Sequence, residues 1–340
     1  MRKKILAVVG PTASGKTALG ISLAKKFGGE VVSFDSRQVY QGMDIGTGKE
    51  IKSQSASWRI KVKNQKKEKF VVGYYLISGV RVWLYDVVSP DYRFNAADYY
   101  RVALPVIKDI WRRGKLPILV GGTGFYLKVL LEGAPALGTP PDWELREKLE
   151  KETLQSLQDQ LKKIAPLRWQ KMNSSDRANP RRLIRALELV LKNKGKEESS
   201  GNFSGIKNEF NLEKKGAILK IGLKVPPFFL KERINRRVEE RLKEGLLEEI
   251  GELLEKGFSF DNSSLGETLA YREWQEWFEG EDHSEKKKQE IIKKWQRDEY
   301  RYARRQMTWF KKDKEITWFD ITDKNYQKKV EKLVEVWYDK

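Results

Sequence analysis

The chain has no cysteine, so disulfides, thiolate zinc sites and cysteine nucleophiles are excluded, and a cytoplasmic location is expected. It has one histidine, His283, in a polar run to which no role falls. Long hydrophobic runs are missing too. No stretch approaches 18 uncharged apolar residues, so no membrane-spanning helix is expected. The start, "MRKKILAVVG", is basic then apolar like a signal peptide, but it runs into a glycine-rich loop with Lys16 rather than a small-residue cleavage site, and reads as a first strand. Negative charge is scarce. Against 67 Lys and Arg stand 48 Asp and Glu, a net +19, which favours polyanionic partners or else a solvated lysine-rich surface.

What is present is an alternation. "KKILAVVG" reads as a buried strand, "TALGISLAKKF" as a helix stopped by Gly28 and Gly29, and "EVVSFDS" as a second strand. Residues 51–69 are polar and lysine-rich, an exposed excursion. "FVVGYYLI" and "VRVWLYDVV" read as strands, "AADYYRVALPVIKDIWRRG" as a helix with Pro105 against its regularity, and "KLPILVGGTG" as a buried strand. This order implies an α/β fold, a doubly wound parallel sheet of the phosphate-loop NTPase type. From residue 141 the character changes to helices without strands, then a polar stretch at 193–216 that reads as a flexible loop. "AILKIGLKV" returns as a strand. Long charged helices cover roughly 228–256 and 284–312, followed by a strand at "EITWFDIT" and a last helix. The expected organisation is a core of residues 1–140 and 215–340 with an all-helical insert at 141–214.

"GPTASGKT" matches G-x-x-x-x-G-K-[ST] in full: Gly10, Pro11, Thr12, Ala13, Ser14, Gly15, Lys16 and Thr17, with a strand before and a helix after. The glycines let backbone N–H groups close on an anion, the helix start adds its dipole, Lys16 adds a charge, and the Thr17 hydroxyl can hold Mg²⁺. The loop does not name the reaction, since ATPases, kinases and diphosphate-releasing transferases need the same cradle. Ligands of open parallel sheets sit beyond the carboxyl ends of strands. Two further strand ends carry polar groups: "FDSRQVY", with Asp35, Ser36, Arg37 and Gln38, and "VGGTGFY", with Thr123. Asp35 reads equally as Mg²⁺ ligand or general base, and Asp86 competes for the metal role.

"GPTASGKT", "DSRQVYQGMDIGTGK", "PILVGGTGFYLKVLLEG", "PRRLIRALELV", "RVEERLKEGLLEEI" and "YARRQMTWF" occur in this order. Together they resemble the bacterial tRNA dimethylallyltransferase (tRNA isopentenyltransferase) family over roughly residues 5–312. The resemblance implies transfer of a dimethylallyl group from dimethylallyl diphosphate to the exocyclic N6 amine of the adenosine 3′-adjacent to the tRNA anticodon. It implies Mg²⁺ as cofactor, the anticodon stem-loop as partner, and a cytoplasmic monomer. The phosphate loop would then hold a diphosphate leaving group, helped by Lys16 and Arg237. Asp35 becomes the base and Thr123 a hydrogen-bonding partner near the amine or diphosphate. The target base would have to leave its stack. By the same resemblance, tRNA contacts fall to Asp35, Ser36, Arg37, Gln38, Thr123, Arg146, Arg181, Arg182, Leu183, Ile184 and Arg185. On the last long helix Arg297, Arg301, Arg304 and Arg305 share a face that suits RNA or plain solvation, and the Trp and Tyr residues near it read as packing.

The chain departs from the family pattern in places. It has "GTGKE" where members carry GTAKP, no His-His segment before "YDVVSP", Asn179 for an acidic residue, and Ala270 and Tyr300 at two later positions. Rival readings are a kinase or isopentenyltransferase acting on free adenine nucleotides, and a non-catalytic RNA-binding protein with a vestigial loop.

Overall fold

The computed structural model describes residues 3–50, 55–63, 69–133, 139, 141–192 and 217–339. The polar stretch at 193–216 lies outside them. The described residues contain eight strands: β1 (Ile5–Val9), β2 (Gly29–Ser33), β3 (Ser55–Lys63), β4 (Lys69–Ile77), β5 (Val80–Trp83), β6 (Leu116–Val120), β7 (Ile218–Lys224) and β8 (Ile316–Asp320). The helices are α1 (Lys16–Lys26), α2 (Ala96–Arg112), α3 (Gly124–Glu132), α4 (Trp143–Glu150), α5 (Leu154–Ile164), α6 (Pro166–Lys171), α7 (Ser174–Arg177), α8 (Pro180–Lys192), α9 (Pro227–Lys243), α10 (Leu246–Glu255), α11 (Leu269–Arg272), α12 (Gln275–Glu279), α13 (Glu285–Phe310) and α14 (Tyr326–Asp339).

The strands form one sheet in the order β3-β4-β5-β2-β6-β1-β7-β8. From β5 to β8 every pairing is parallel. Strands β1, β2 and β6 are buried along their whole length, as parallel strands covered on both faces must be. Leu6 and Val8 of β1 pack with Leu19 and Leu23 of α1 and Val330 and Val334 of α14 on one side. The sheet is the α/β doubly wound arrangement expected, with one addition. The excursion at 51–69 contains β3, which pairs antiparallel with β4 and extends the sheet; residues 51–54 and 64–68 lie outside the described residues.

Three other elements differ from expectation. The "VRVWLYDVV" strand ends at Trp83, because Leu84 (φ 71°) and Asp86 (φ 54°) take left-handed backbone conformations. The helix over 228–256 is two helices, α9 and α10, broken where Gly245 adopts φ 97°. Pro105 does not break α2, which starts from a capping box of Asn95 and Asp98 and runs to Arg112.

The chain divides into two compact units, Met1–Leu131 with Phe210–Lys340, and Glu132–Glu209. The second is a small helical bundle whose core includes Leu149, Leu157, Leu161, Leu183 and Leu187.

Candidate functional site

The loop after β1 and the start of α1 form an anion cradle. Gly15 takes φ 87° at the N-cap, a left-handed turn that lets the chain enter the helix sharply. No side chain caps α1, so its first-turn N–H groups remain available to an anion. Gly10, Pro11 and Ser14 are buried and form the underside of the loop. Thr12, Ala13, Gly15, Lys16 and Thr17 line a cavity of about 1080 Å³. The Lys16 ammonium donates to the Pro11 carbonyl at 2.7 Å.

The ends of β2 and β6 meet this cavity from the side. The Phe34 N–H donates to Val120 O at 2.9 Å, which joins the two strand ends. Asp35 Oδ1 accepts the Arg37 N–H at 2.9 Å. Asp35, Ser36, Arg37 and Gln38 all line the cavity. Thr123 does not; its hydroxyl accepts the Ser36 N–H at 3.0 Å and lies 3.2 Å from Ser36 Oγ. It braces the Asp35–Ser36 turn. Asp86 is also away from the lining. Its carboxylate is engaged by the buried Lys49 ammonium and the Tyr75 hydroxyl.

Helix α9 brings the cations. Arg237 donates to Thr12 Oγ1 at 2.7 Å and Arg233 to the Ala13 carbonyl at 2.7 Å. Arg241, one turn on, pairs with the buried Glu299 at 3.2 Å. Burial, and then the Arg237 charge, lower the Lys16 pKa to about 8. Burial, and then Arg241, lower that of Arg237 to about 10. Crowded, poorly hydrated cations of this kind are relieved by a bound anion. Lys16 is fully charged below its pKa and loses its proton as pH rises through about 8. Affinity for inorganic diphosphate is therefore expected to fall between pH 7 and 9.5. Titration calorimetry checks this, with Lys16→Arg as the comparator that should not show the fall.

Sequence reasoning assigned no role to several residues that hold the site together. Gln306 of α13 accepts the Thr12 N–H at 2.8 Å and donates to Gly122 O at 3.1 Å, joining the phosphate loop to the glycine turn after β6. Glu249 of α10 accepts the N–H groups of Asp44 (2.9 Å), Ile45 (2.8 Å) and Gly46 (3.1 Å) and the Tyr271 hydroxyl (2.7 Å). It pins the "DIGTGK" loop. Gln38, expected among the tRNA contacts, is mostly turned inward instead, accepting the Ser33 hydroxyl at 2.9 Å and donating to Gly48 O at 3.3 Å. Gln306 and Glu249 lie inside recognised motifs. Their partners in the phosphate loop and the "DIGTGK" loop are more than 200 residues away, which no local pattern reveals.

In the helical unit the predicted contact residues separate. Leu183 and Ile184 are 0% and 4% exposed, and their side chains form the core rather than a contact surface, because α8 needs an apolar face to pack. Arg146 and Arg185 converge on the buried Glu188, Arg146 Nη2 at 2.8 Å. Arg182 is ion-paired with Asp176 and half-exposed, and Arg181 is exposed. On α13, Arg297 and Arg301 flank Asp298, while Arg305 lines the cavity.

Among the described residues no group of three acidic, His or Cys side chains could cage a metal, and no helix is long and apolar enough to cross a membrane. Fold and site together define a phosphate-loop α/β protein with a strongly cationic anion pocket. A family model described as IPP transferase matches residues 38–313, and one described as isopentenyl transferase matches residues 3–68. The chain belongs to the tRNA dimethylallyltransferase family of transferases. It is 38% identical to the tRNA dimethylallyltransferase of Geobacter sulfurreducens, covering 94% of this chain and 92% of that one. It is 35% identical to that of Halalkalibacterium halodurans, covering 97% and 95%. The crystal structure of the full-length tRNA isopentenylpyrophosphate transferase from Bacillus halodurans superposes with a TM-score of 0.65 at 32% identity, covering 99% of this chain and 97% of that one.

Proposed function

We propose that this chain transfers a dimethylallyl group from dimethylallyl diphosphate to the N6 amine of the adenosine 3′-adjacent to the anticodon of tRNA, as a cytoplasmic monomer. The observation that carries this is one cavity lined by the phosphate loop, Arg237 and Asp35, in a member of this family. The N6 lone pair forms the new N–C bond as the allylic C–O bond breaks and diphosphate departs. The N6 proton becomes acidic as the bond forms and passes to the Asp35 carboxylate. Loop N–H groups, Lys16 and Arg237 take up the charge that develops on the leaving group. Thr123 keeps the Asp35–Ser36 turn in register.

The donor set fits Mg²⁺ in a limited way. Thr17 offers one hydroxyl at the cavity and, among the described residues, no carboxylate cage accompanies it, which suits an ion held mainly by substrate phosphate oxygens and water. Bound there, Mg²⁺ would supply further positive charge to the diphosphate.

Exposed Arg181 and Arg182 on α8 are the helical unit's candidates for the tRNA backbone. The test offers radiolabelled dimethylallyl diphosphate to unmodified tRNA, to an anticodon stem-loop and to AMP. Label is expected on the two RNAs and not on AMP. Label on AMP alone would replace the acceptor by a free nucleotide.

A further inference from the structure

Beside the cavity stands an aromatic pair that neither the chemistry above nor the protein core uses. Phe125 is 48% exposed and Trp309 is 38% exposed, with ring centroids 6.4 Å apart and planes at 83°. Among the described residues Trp83, Trp274 and Trp295 are wholly buried, and Phe228 and Phe229 at the start of α9 form a second exposed pair. Leaving two rings in water side by side has a hydrophobic penalty, and such a patch marks a contact surface.

Their place in the fold says what the contact is. Phe125 follows Thr123 by two residues, and Thr123 braces the Asp35–Ser36 turn. Trp309 follows Gln306 by three residues, so it stands one turn beyond the side chain that grips the phosphate loop and the Gly122 carbonyl. The indole lies directly over Gly124, where any side chain would overlap it. Both rings are thus fixed to the elements that hold Asp35. Arg305, four residues before Trp309, lines the cavity and is exposed. Arg304 and Lys312 are exposed nearby in sequence. Apolar faces framed by cations match unpaired nucleobases on a phosphate backbone, since bases stack on aromatic rings while phosphates meet the charges.

We infer that Phe125 and Trp309 form a stacking shelf for an unpaired loop base flanking the adenosine that enters the cavity. The shelf rests on the tRNA reading of the same site. It holds the neighbouring base after the target has left the stack, so the extrusion is not reversed before reaction.

The test compares wild type with Phe125→Ala, Trp309→Ala and Trp309→Phe, all as the full chain. Affinity for an anticodon stem-loop is measured by fluorescence anisotropy, and affinity for dimethylallyl diphosphate by calorimetry. Each alanine variant is expected to bind the stem-loop about tenfold more weakly. Donor affinity should stay within about twofold, and Trp309→Phe should restore most of the RNA binding. Unchanged stem-loop affinity in the alanine variants overturns the shelf. So does parallel loss of both ligands, or a loss that phenylalanine does not rescue, because either result makes the pair a packing element. If wild type neither binds nor modifies the stem-loop, the tRNA reading itself fails, a result separate from any of these.

Discussion

Asp35→Asn is expected to lower the turnover of tRNA by about a thousandfold while leaving the affinities for tRNA and dimethylallyl diphosphate within a few-fold of wild type. Asparagine is nearly isosteric, and its side-chain oxygen can still accept the Arg37 N–H, now made at 2.9 Å. The turn that carries Ser36 and Arg37 should therefore survive. What is lost is the carboxylate that takes the N6 proton. Single-turnover kinetics with saturating substrates isolate this step. Raising Mg²⁺ should not restore the rate. Recovery at high Mg²⁺ would instead make Asp35 a metal ligand, and a rate within tenfold of wild type would remove it from the chemistry.

The second large effect is on stability. Glu188 is 0% exposed and accepts from Arg146 at 2.8 Å, from Arg185 and from the Asp142 N–H at the start of α4. Burial works against its charge, but the hydrogen bonds from Arg146, Asp142 and Arg185 outweigh it and hold the pKa below the usual glutamate value. Glu188→Ala removes the buried carboxylate to which Arg146, Arg185 and the Asp142 N–H all donate, and should destabilise the helical unit by about 3 kcal/mol. Hydrogen exchange of the full chain should show protection in peptides from residues 143–192 falling by on the order of a hundredfold, with sheet peptides unchanged. The pH dependence follows from the depressed pKa. The stabilisation is present above the unfolded-state pKa and disappears as pH falls through the lower folded-state value, so wild type should lose helical-unit protection in acid and the variant should show less of that dependence. Equal protection in the two proteins would mean that Glu188 holds nothing.

The cradle was legible because its chemistry is local. Eight consecutive residues, with a strand before and a helix after, specify an anion site whatever the rest of the chain does. The parallel sheet was legible for a similar reason, since β1, β2 and β6 are short apolar runs ended by polar strand tips. The rest depended on distance. β3 alternates Trp58, Ile60 and Val62 with Arg59, Lys61 and Lys63, a strand pattern that the lysine-rich surroundings at 51–69 obscured. The long helix expected over 228–256 is divided at Gly245, where the left-handed backbone makes two helices. Leu183 and Ile184 stood within a motif that matched a contact region, but they belong to the apolar stripe of α8 and face inward, while Arg181 and Arg182 stay exposed. Thr123 bonds Ser36 of the turn that carries Asp35, a contact 87 residues apart that no local pattern reveals.

The Gln306 carboxamide has a consequence for how freely its position can change. It is asked for an acceptor on one side, for the Thr12 N–H, and a donor on the other, for the Gly122 carbonyl. Glutamate has no donor when ionised, lysine and arginine have no acceptor, and asparagine has the right head on a stem one methylene too short. The two walls of the pocket are held at their spacing by one side chain whose common replacements each lose a bond. Interchangeability here is close to nil.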